Sequence, residues 1–322
     1  MKLIKLGKSD IEVTPIGLGC WQFSGGKSIA GKYWGAVDDQ TMTDIVKTSL
    51  DGGINWFDTA EAYGWGRSEA ALSRSLKVLG KKDGDVVIAT KWLPFFRTAR
   101  SITRTIDNRL KYLNGFHIDL HQIHNQHGSF SSHEKQLNAM LQLVRAGKIR
   151  AIGISNYSAK TMRECFEYLK KQNIYLVSNQ MDYSLLNRRI ESNGVMETAK
   201  ELGITIIAYS PLAQGLLSGK FHDDPGLIKS RSGPRRFRPQ FKSRGLQKSA
   251  PVIDELKRIA EKFDATPSQV ALRWLIQFNG YTVVAIPGAT KVKHAEENVG
   301  ALNFEIGEDD LNRLDEVSRS YL

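Results

Sequence analysis

The chain has 322 residues, of which 41% are hydrophobic and 25% charged, and its net charge is +11. That composition excludes a wholly disordered, collagen-like or low-complexity chain. No apolar run approaches the ~20 residues of a membrane-spanning helix, and the N-terminus has no apolar core of a secretory signal.

Residues 2–14 read as a hairpin turning at Gly7-Lys8-Ser9-Asp10, placed to close the floor of a barrel. Short runs rich in β-formers then recur at 15–20, 54–58, 86–91, 118–124, 149–155, 176–180, 205–209 and 282–286. Each is almost continuously apolar, as strands buried on both faces are. Helical patterns fall between them, at 39–51, 68–80, 101–113, 132–146, 159–171, 194–202, 249–263, 266–278 and 292–302. Thr266-Pro267-Ser268-Gln269 reads as an N-cap followed by a first-turn proline. A last helical pattern covers 309–318.

Eight strand–helix repeats predict an α/β fold, a (β/α)8 TIM barrel forming one domain over 1–322. A doubly wound open sheet is the alternative, but no G-x-G-x-x-G follows the first strand. Residues 211–248 form a long loop after the seventh strand. Its part from 229 to 248 holds eight Lys and Arg and no acid. So compact a cluster suits a small polyanion better than a duplex groove, and no nucleic-acid or membrane partner is expected. A solvated basic loop is the other reading. Cys20 and Cys165 lie far apart and belong to no metal-ligand spacing. No metal is expected, and a reducing, cytoplasmic setting is.

Barrel sites sit at the C-terminal ends of the strands. There the sequence places Asp58 and Tyr63 after the second strand, Lys91 at the end of the third and His124 at the end of the fourth. A buried ammonium beside a phenol lowers its pKa, an aspartate holds the ammonium, and a histidine orients a carbonyl oxygen. That set suits protonation of a developing alkoxide. A Schiff-base barrel using Lys91 as nucleophile is a rival that leaves Asp58 and Tyr63 unexplained.

The motifs Ile16-Gly17-Leu18-Gly19, Phe57-Asp58-Thr59-Ala60 through Tyr63-Gly64, Ala89-Thr90-Lys91, Gln122-Ile123-His124, Gly153-Ile154-Ser155-Asn156, Tyr209-Ser210-Pro211-Leu212 and Ile286-Pro287-Gly288-Ala289 follow in order along the chain. Together they make the sequence resemble the aldo-keto reductase family over essentially its whole length. The closest likeness is to the branch with bacterial reductases and potassium-channel β subunits. The resemblance implies an NADPH-dependent reductase of aldehydes and ketones, with NADPH favoured over NADH. Tyr63 would be the general acid, Lys91 and Asp58 would tune it, and His124 would orient the carbonyl. Ser155, Asn156 and Gln180 would meet the nicotinamide carboxamide, and Tyr209 would stack on its ring. Ser210, Pro211, Leu212, Ala213, Gly215 and Lys220 would line the pyrophosphate, with Arg231 beyond them. Gly288, Thr290, Lys291, His294, Glu297 and Asn298 would hold the adenosine phosphate. Cys20, Trp21 and Gln22 join the cofactor set by position. Trp21, Phe23, Tyr63, Trp92 and His124 are the expected substrate contacts, an aromatic mouth suited to aldehydes with apolar bodies, and with no long tail expected after the 309–318 pattern to narrow it, broad specificity is expected. A cofactor-bound regulatory subunit shares these motifs and remains the alternative. The oligomeric state is left open.

Overall fold

The computed structural model describes residues 2–25, 35–229 and 234–322. Strands β1 (Ile4–Lys5) and β2 (Glu12–Val13) pair antiparallel, Ile4 opposite Val13. Then follow β3 (Leu18–Gly19), β4 (Trp56–Asp58), β5 (Val87–Trp92), β6 (Ile118–Ile123), β7 (Ile149–Ser155), β8 (Leu176–Asp182), β9 (Thr205–Tyr209) and β10 (Val283–Ala285). Among the described residues these form one eight-stranded sheet in chain order, with every neighbouring pair parallel. Parallel bridges from Ile16 to Ala285 and from Gly19 to Gly288 join the first strand to the last. The sheet thereby closes into a barrel and leaves no open edge.

The helices α1 (Asp39–Asp51), α2 (Arg67–Val78), α3 (Arg100–Leu113), α4 (His133–Arg145) and α5 (Ala159–Lys170) wrap the outside. They are followed by α6 (Arg189–Ser192), α7 (Val195–Leu202), α8 (Lys220–Asp223), α9 (Ser243–Lys262), α10 (Pro267–Phe278), α11 (Val292–Gly300) and α12 (Glu308–Ser318). Local chemistry sets several starts. Asp38 accepts from the Thr41 N–H ahead of α1. Thr266 caps α10 with Pro267 in its first turn, as the sequence predicts, and Gln269 answers it to complete a reciprocal capping box.

Two apolar layers follow from the period of two along each strand. One lies between sheet and helices. The other fills the barrel floor, where Trp56, Ala89, Leu120 and Ile207 pack against Ile4, Leu6, Ile11 and Val13 of the hairpin. Trp56 also donates its indole N–H to Thr14 O at 2.9 Å. It lies flat over Gly17, where a Cβ would sit 2.3 Å from the ring. Two residues further along, the same inward faces carry Asp58, Lys91, Gln122 and Tyr209. An apolar plug below and polar groups above is how the sequence aims chemistry at the mouth.

The loop after β9 is shorter than the sequence suggests. Helix α9 begins at Ser243 and contains Pro251, whereas the helical pattern in the sequence starts at 249. Pro251 lies on the exposed face beside exposed Gln247. The Gln247 carbonyl, which loses its helical partner there, therefore faces water. The loop itself is coiled into short turns around Leu216, Phe221, Ile228, Phe241 and Leu246. No helix among the described residues is long and apolar enough to cross a membrane.

Candidate active site

Asp58 ends β4 and stands opposite Ala89 of β5, so Lys91 rises beside it into the barrel. The Lys91 ammonium is fully buried. It donates to Asp58 Oδ1 at 2.5 Å, to Thr59 O at 2.8 Å and to the Tyr63 hydroxyl at 3.4 Å. The second Asp58 oxygen accepts from Gln180 at 2.9 Å and from Gln122 at 3.2 Å. Both carboxylate oxygens are thus bonded to donors, the condition under which a buried charge persists. Burial opposes the charge on Lys91. Asp58 and Tyr63 more than offset it, and its pKa is raised.

Tyr63 lies half-buried on the turn after β4, its ring 6.1 Å from Trp21 and 5.9 Å from His124. Its phenol departs from the sequence expectation. Burial pushes its pKa up, Lys91 pulls it down, Asp58 pushes it up again, and the net shift is upward. The carboxylate beside Lys91 cancels much of the cation's field at the hydroxyl, so burial prevails. The phenol is therefore protonated at neutral pH. His124 follows β6 and donates its backbone N–H to Trp92 O. Burial, then the Lys91 charge, depress its imidazole to about 3, so the ring is neutral. Its Nδ1 has no hydrogen-bond partner.

Above these groups opens a cavity of about 920 Å³. Asp58, Tyr63 and His124 line one end with Cys20, Trp21 and Gln22. Ser155, Asn156, Gln180 and Tyr209 line the centre, linked to one another. Ser155 Oγ donates to Gln180 O, Asn156 Nδ2 donates to Ser155 Oγ, and the Tyr209 hydroxyl donates to Asn156 Oδ1 at 2.9 Å. Ser210, Pro211, Leu212, Gly215 and Lys220 form one side wall. Gly288, Thr290, Lys291, His294, Glu297 and Asn298 also line the cavity, Gly288 directly against Gln22.

Four expected residues stand elsewhere. Lys91 lies beneath the cavity, reaching it only through Asp58 and Tyr63. Phe23 and Trp92 are each 1% exposed and belong to the packed interior rather than to the mouth. Trp92 follows inward-facing Lys91, so the strand period turns it toward the helices, where its indole N–H donates to Ser101. Ala213 packs against the core while its neighbours Leu212 and Gln214 line the wall. Arg231 falls outside the described residues.

The sequence reading missed several wall residues. Gln122, beneath the cavity on Asp58 rather than on its wall, was also missed and was legible from the period of two above Leu120. Asp182 lines the cavity because β8 runs two residues further than expected. Burial raises its carboxyl, and Arg189 and Arg238 oppose that. Asn125, Arg238 and the α10 start at Thr266, Pro267 and Ser268 also line it. No local pattern reveals these, because tertiary packing alone brings them to the wall.

The cavity's chemistry fits a dinucleotide. Lys220, Arg238, Lys291 and Lys293 supply positive charge on its walls. The α10 N-terminus adds the positive end of a helix dipole. Gln22 Oε1 and Asn298 Nδ2 are buried on the wall with no hydrogen-bond partner among the described residues, ready for a polar ligand's edge. Gly288 leaves room for Gln22, since a Cβ there would lie 2.3 Å from its carboxamide.

Comparison with known proteins gives one answer at every level. The model of the Aldo/keto reductase family matches residues 15–319. An uncharacterized oxidoreductase of Mycobacterium tuberculosis is 37% identical over 316 residues, 96% of this chain and 91% of its own. The Schizosaccharomyces pombe aldo-keto reductase yakc [NADP(+)] is 29% identical, covering 95% of this chain and 88% of its own. The solved structure of a glycerol dehydrogenase from Gluconobacter oxydans superposes with a TM-score of 0.83 at 26% identity, over 99% of this chain and 96% of that one.

Proposed function

The chain belongs to the aldo/keto reductase family, and on that premise we propose that it reduces aldehydes and ketones with NADPH, Tyr63 donating the proton. Oxidoreductase activity follows from the membership itself. The observation that carries the finer reading is the Asp58–Lys91–Tyr63 chain beneath the cavity, with hydrogen bonds of 2.5 and 3.4 Å.

When bound, the dinucleotide supplies the hydride, and the protein supplies orientation and the proton. The neutral His124 ring presents an N–H to the substrate's carbonyl oxygen and orients it without adding charge. As negative charge builds on that oxygen, the Tyr63 O–H is the donor in reach. The phenolate left behind is stabilised by the Lys91 ammonium, which Asp58 holds in place with Gln122 and Gln180 behind it. In the reverse direction the phenolate accepts the alcohol proton. In this reading Ser155, Asn156, Gln180 and Tyr209 would hold the nicotinamide end, and residues 291–298 the adenosine phosphate. The preference for NADPH rests on the cations along that wall, Lys220, Arg238, Lys291 and Lys293, and agrees with the cofactor in the name of the S. pombe relative. We read the whole chain as one barrel domain. Two free, buried cysteines favour a reducing, cytoplasmic setting.

A tryptophan-fluorescence titration with NADPH and NADH, followed by turnover of 4-nitrobenzaldehyde and a carbonyl panel, tests this reading. Tighter binding of NADPH with sustained reduction is expected. Tight cofactor binding without turnover of any carbonyl would instead identify a regulatory subunit.

A further inference from the structure

The Tyr63 turn is built from backbone that resists its own shape. Gly64, Trp65 and Gly66 are three successive residues with φ of 74°, 56° and 96°. Trp65 is neither glycine nor buried, being 64% exposed. Such a run persists only when its surroundings hold it. On the barrel side a hydroxyl ladder does so, Thr59 Oγ1 donating to Ser68 Oγ and Ser68 Oγ to Cys20 O.

On the outer side lies a buried ionic cluster that the proton-donor chemistry does not use. Glu61, two residues before Tyr63, is 7% exposed at its side chain. One carboxylate oxygen accepts from Arg97 at 2.7 Å and from the Leu93 N–H at 3.2 Å. Its backbone N–H donates to Lys91 O, which ties the turn to the strand that carries the ammonium. Glu69, at the far end of the same turn, accepts from Thr90 at 2.7 Å and faces Arg109 at 3.3 Å. Arg109 also lies 3.9 Å from Glu61. The turn bearing Tyr63 is thus held at one end by Glu61 hydrogen-bonded to Arg97, and at the other by Glu69 hydrogen-bonded to Thr90, with Arg109 facing both acids without a hydrogen bond to either.

Arg97 extends the grip. Its guanidinium donates further to Ser101 Oγ, Leu93 O and Thr105 Oγ1, and lies 5.5 Å from the Trp92 ring. Its carbonyl accepts from Ser129 Oγ and the Phe130 N–H, on the loop that follows His124. One side chain and its own backbone therefore connect the turn of Tyr63, the loop after Lys91 and the loop after His124. Packing the loops with apolar residues would avoid the desolvation of these ions. What the ions add is directional geometry at three points of the mouth.

We propose that Glu61, clamped by Arg97, is a positioning residue that sets the Tyr63 hydroxyl against the substrate oxygen. The inference rests on Tyr63 being the proton donor. The experiment compares Glu61→Gln, Arg97→Lys, their double variant and Tyr63→Phe in the full chain with NADPH and 4-nitrobenzaldehyde. It reads kcat, KM, NADPH affinity, the primary isotope effect with deuterated NADPH, and the melting curve. The expected result is a fall in kcat of about tenfold or more, with KM and NADPH affinity within about twofold and a larger isotope effect. The double variant should be no worse than the worse single one. Wild-type kcat and isotope effect in both single variants, even with lowered melting temperatures, would overturn the proposal and leave the cluster a purely structural clamp. If Glu61→Gln fails to fold, Arg97→Lys decides, because it keeps the charge and loses only the fork. Full activity in Tyr63→Phe would instead overturn the proton-donor assignment, while an inactive Tyr63→Phe beside wild-type-like positioning variants sinks this inference alone.

Discussion

Lys91 holds its charge where no water reaches it, and three oxygens surround it. Removing the ammonium by Lys91→Met strands Asp58 as an unpaired buried carboxylate. Breaking a buried pair in this way costs about 3–5 kcal/mol of stability, and losing the group that stabilises a proton donor costs turnover of the order of a hundredfold. Kinetics and denaturation of this variant should show both losses, and Asp58→Asn in the same background should recover stability without recovering rate. Unchanged turnover in Lys91→Met would remove the ammonium from the chemistry. The identity of these residues was legible because each ends an apolar run at the barrel mouth. Their balance was not. The sequence showed a buried cation beside a phenol with an aspartate holding it, but not that the carboxylate, 2.5 Å from that cation, and the burial of the phenol together turn its shift upward. The same blindness put Trp92 at the mouth. A strand's period of two forbids Lys91 and Trp92 from facing the same side, and applying it would have corrected the assignment from sequence alone.

Among the elements, the barrel strands were the most legible and the stretch between β9 and α9 the least. Strands β7 and β9 match their apolar runs to the residue. The β9–α9 stretch is organised by a few aromatic contacts far apart in sequence, such as Phe221 against Phe241 at 5.4 Å. Its basic character has a testable consequence. Arg238 and Lys293 line the cavity, and charge reversal at both, Arg238→Glu with Lys293→Glu, should weaken NADPH more than NADH in the fluorescence titration. Equal weakening would argue against 2′-phosphate recognition at this wall. A second element-level device fastens the C-terminal helix. The Arg188 guanidinium is 1% exposed and pairs with Glu191 at 2.7 Å and Asp315 at 2.6 Å. It also donates to Ser318 and lies 5.2 Å from both Trp274 and Phe278. It thereby binds the segment after β8 to α10 and α12. Arg188→Met leaves Glu191 and Asp315 without their buried partner, so a stability loss of about 3 kcal/mol is expected in chemical denaturation. A loss below about 1 kcal/mol would mean the cluster contributes little net. No sequence pattern announces this clamp, because all its members but Glu191 lie far along the chain from Arg188, Asp315 127 residues away.

For the whole molecule, pH is the lever that reaches the buried groups together. His121 and His124 have folded pKa values near 3 against an ordinary 6.5, burial being the first cause in each. Between those values the unfolded chain binds protons that the folded chain does not, so stability falls as pH drops below about 6.5. Glu69 acts in the opposite sense. Burial raises its carboxyl from 4.5 to about 7, so its contribution is lost as pH rises through that range. Two histidine shifts outweigh one smaller carboxyl shift, and the melting temperature should fall between about pH 7 and pH 5, less steeply in His121→Gln. A flat profile in the wild type would contradict the buried neutral histidines. His117 lies at the barrel floor between Asp83 and Asp119. Burial lowers its pKa, the two carboxylates more than offset that, and the net shift is upward. Its contribution is present below the ordinary histidine range and lost as pH rises through the folded value.

All of these effects surround the event we propose, the passage of a proton from Tyr63 to a carbonyl oxygen. The most direct measurement is NADPH oxidation by an aldehyde in wild type and in Tyr63→Phe, with cofactor affinity measured on the same samples. The account predicts equal NADPH binding and a turnover reduced by at least about a hundredfold in the variant. Turnover by Tyr63→Phe close to that of the wild type would contradict it.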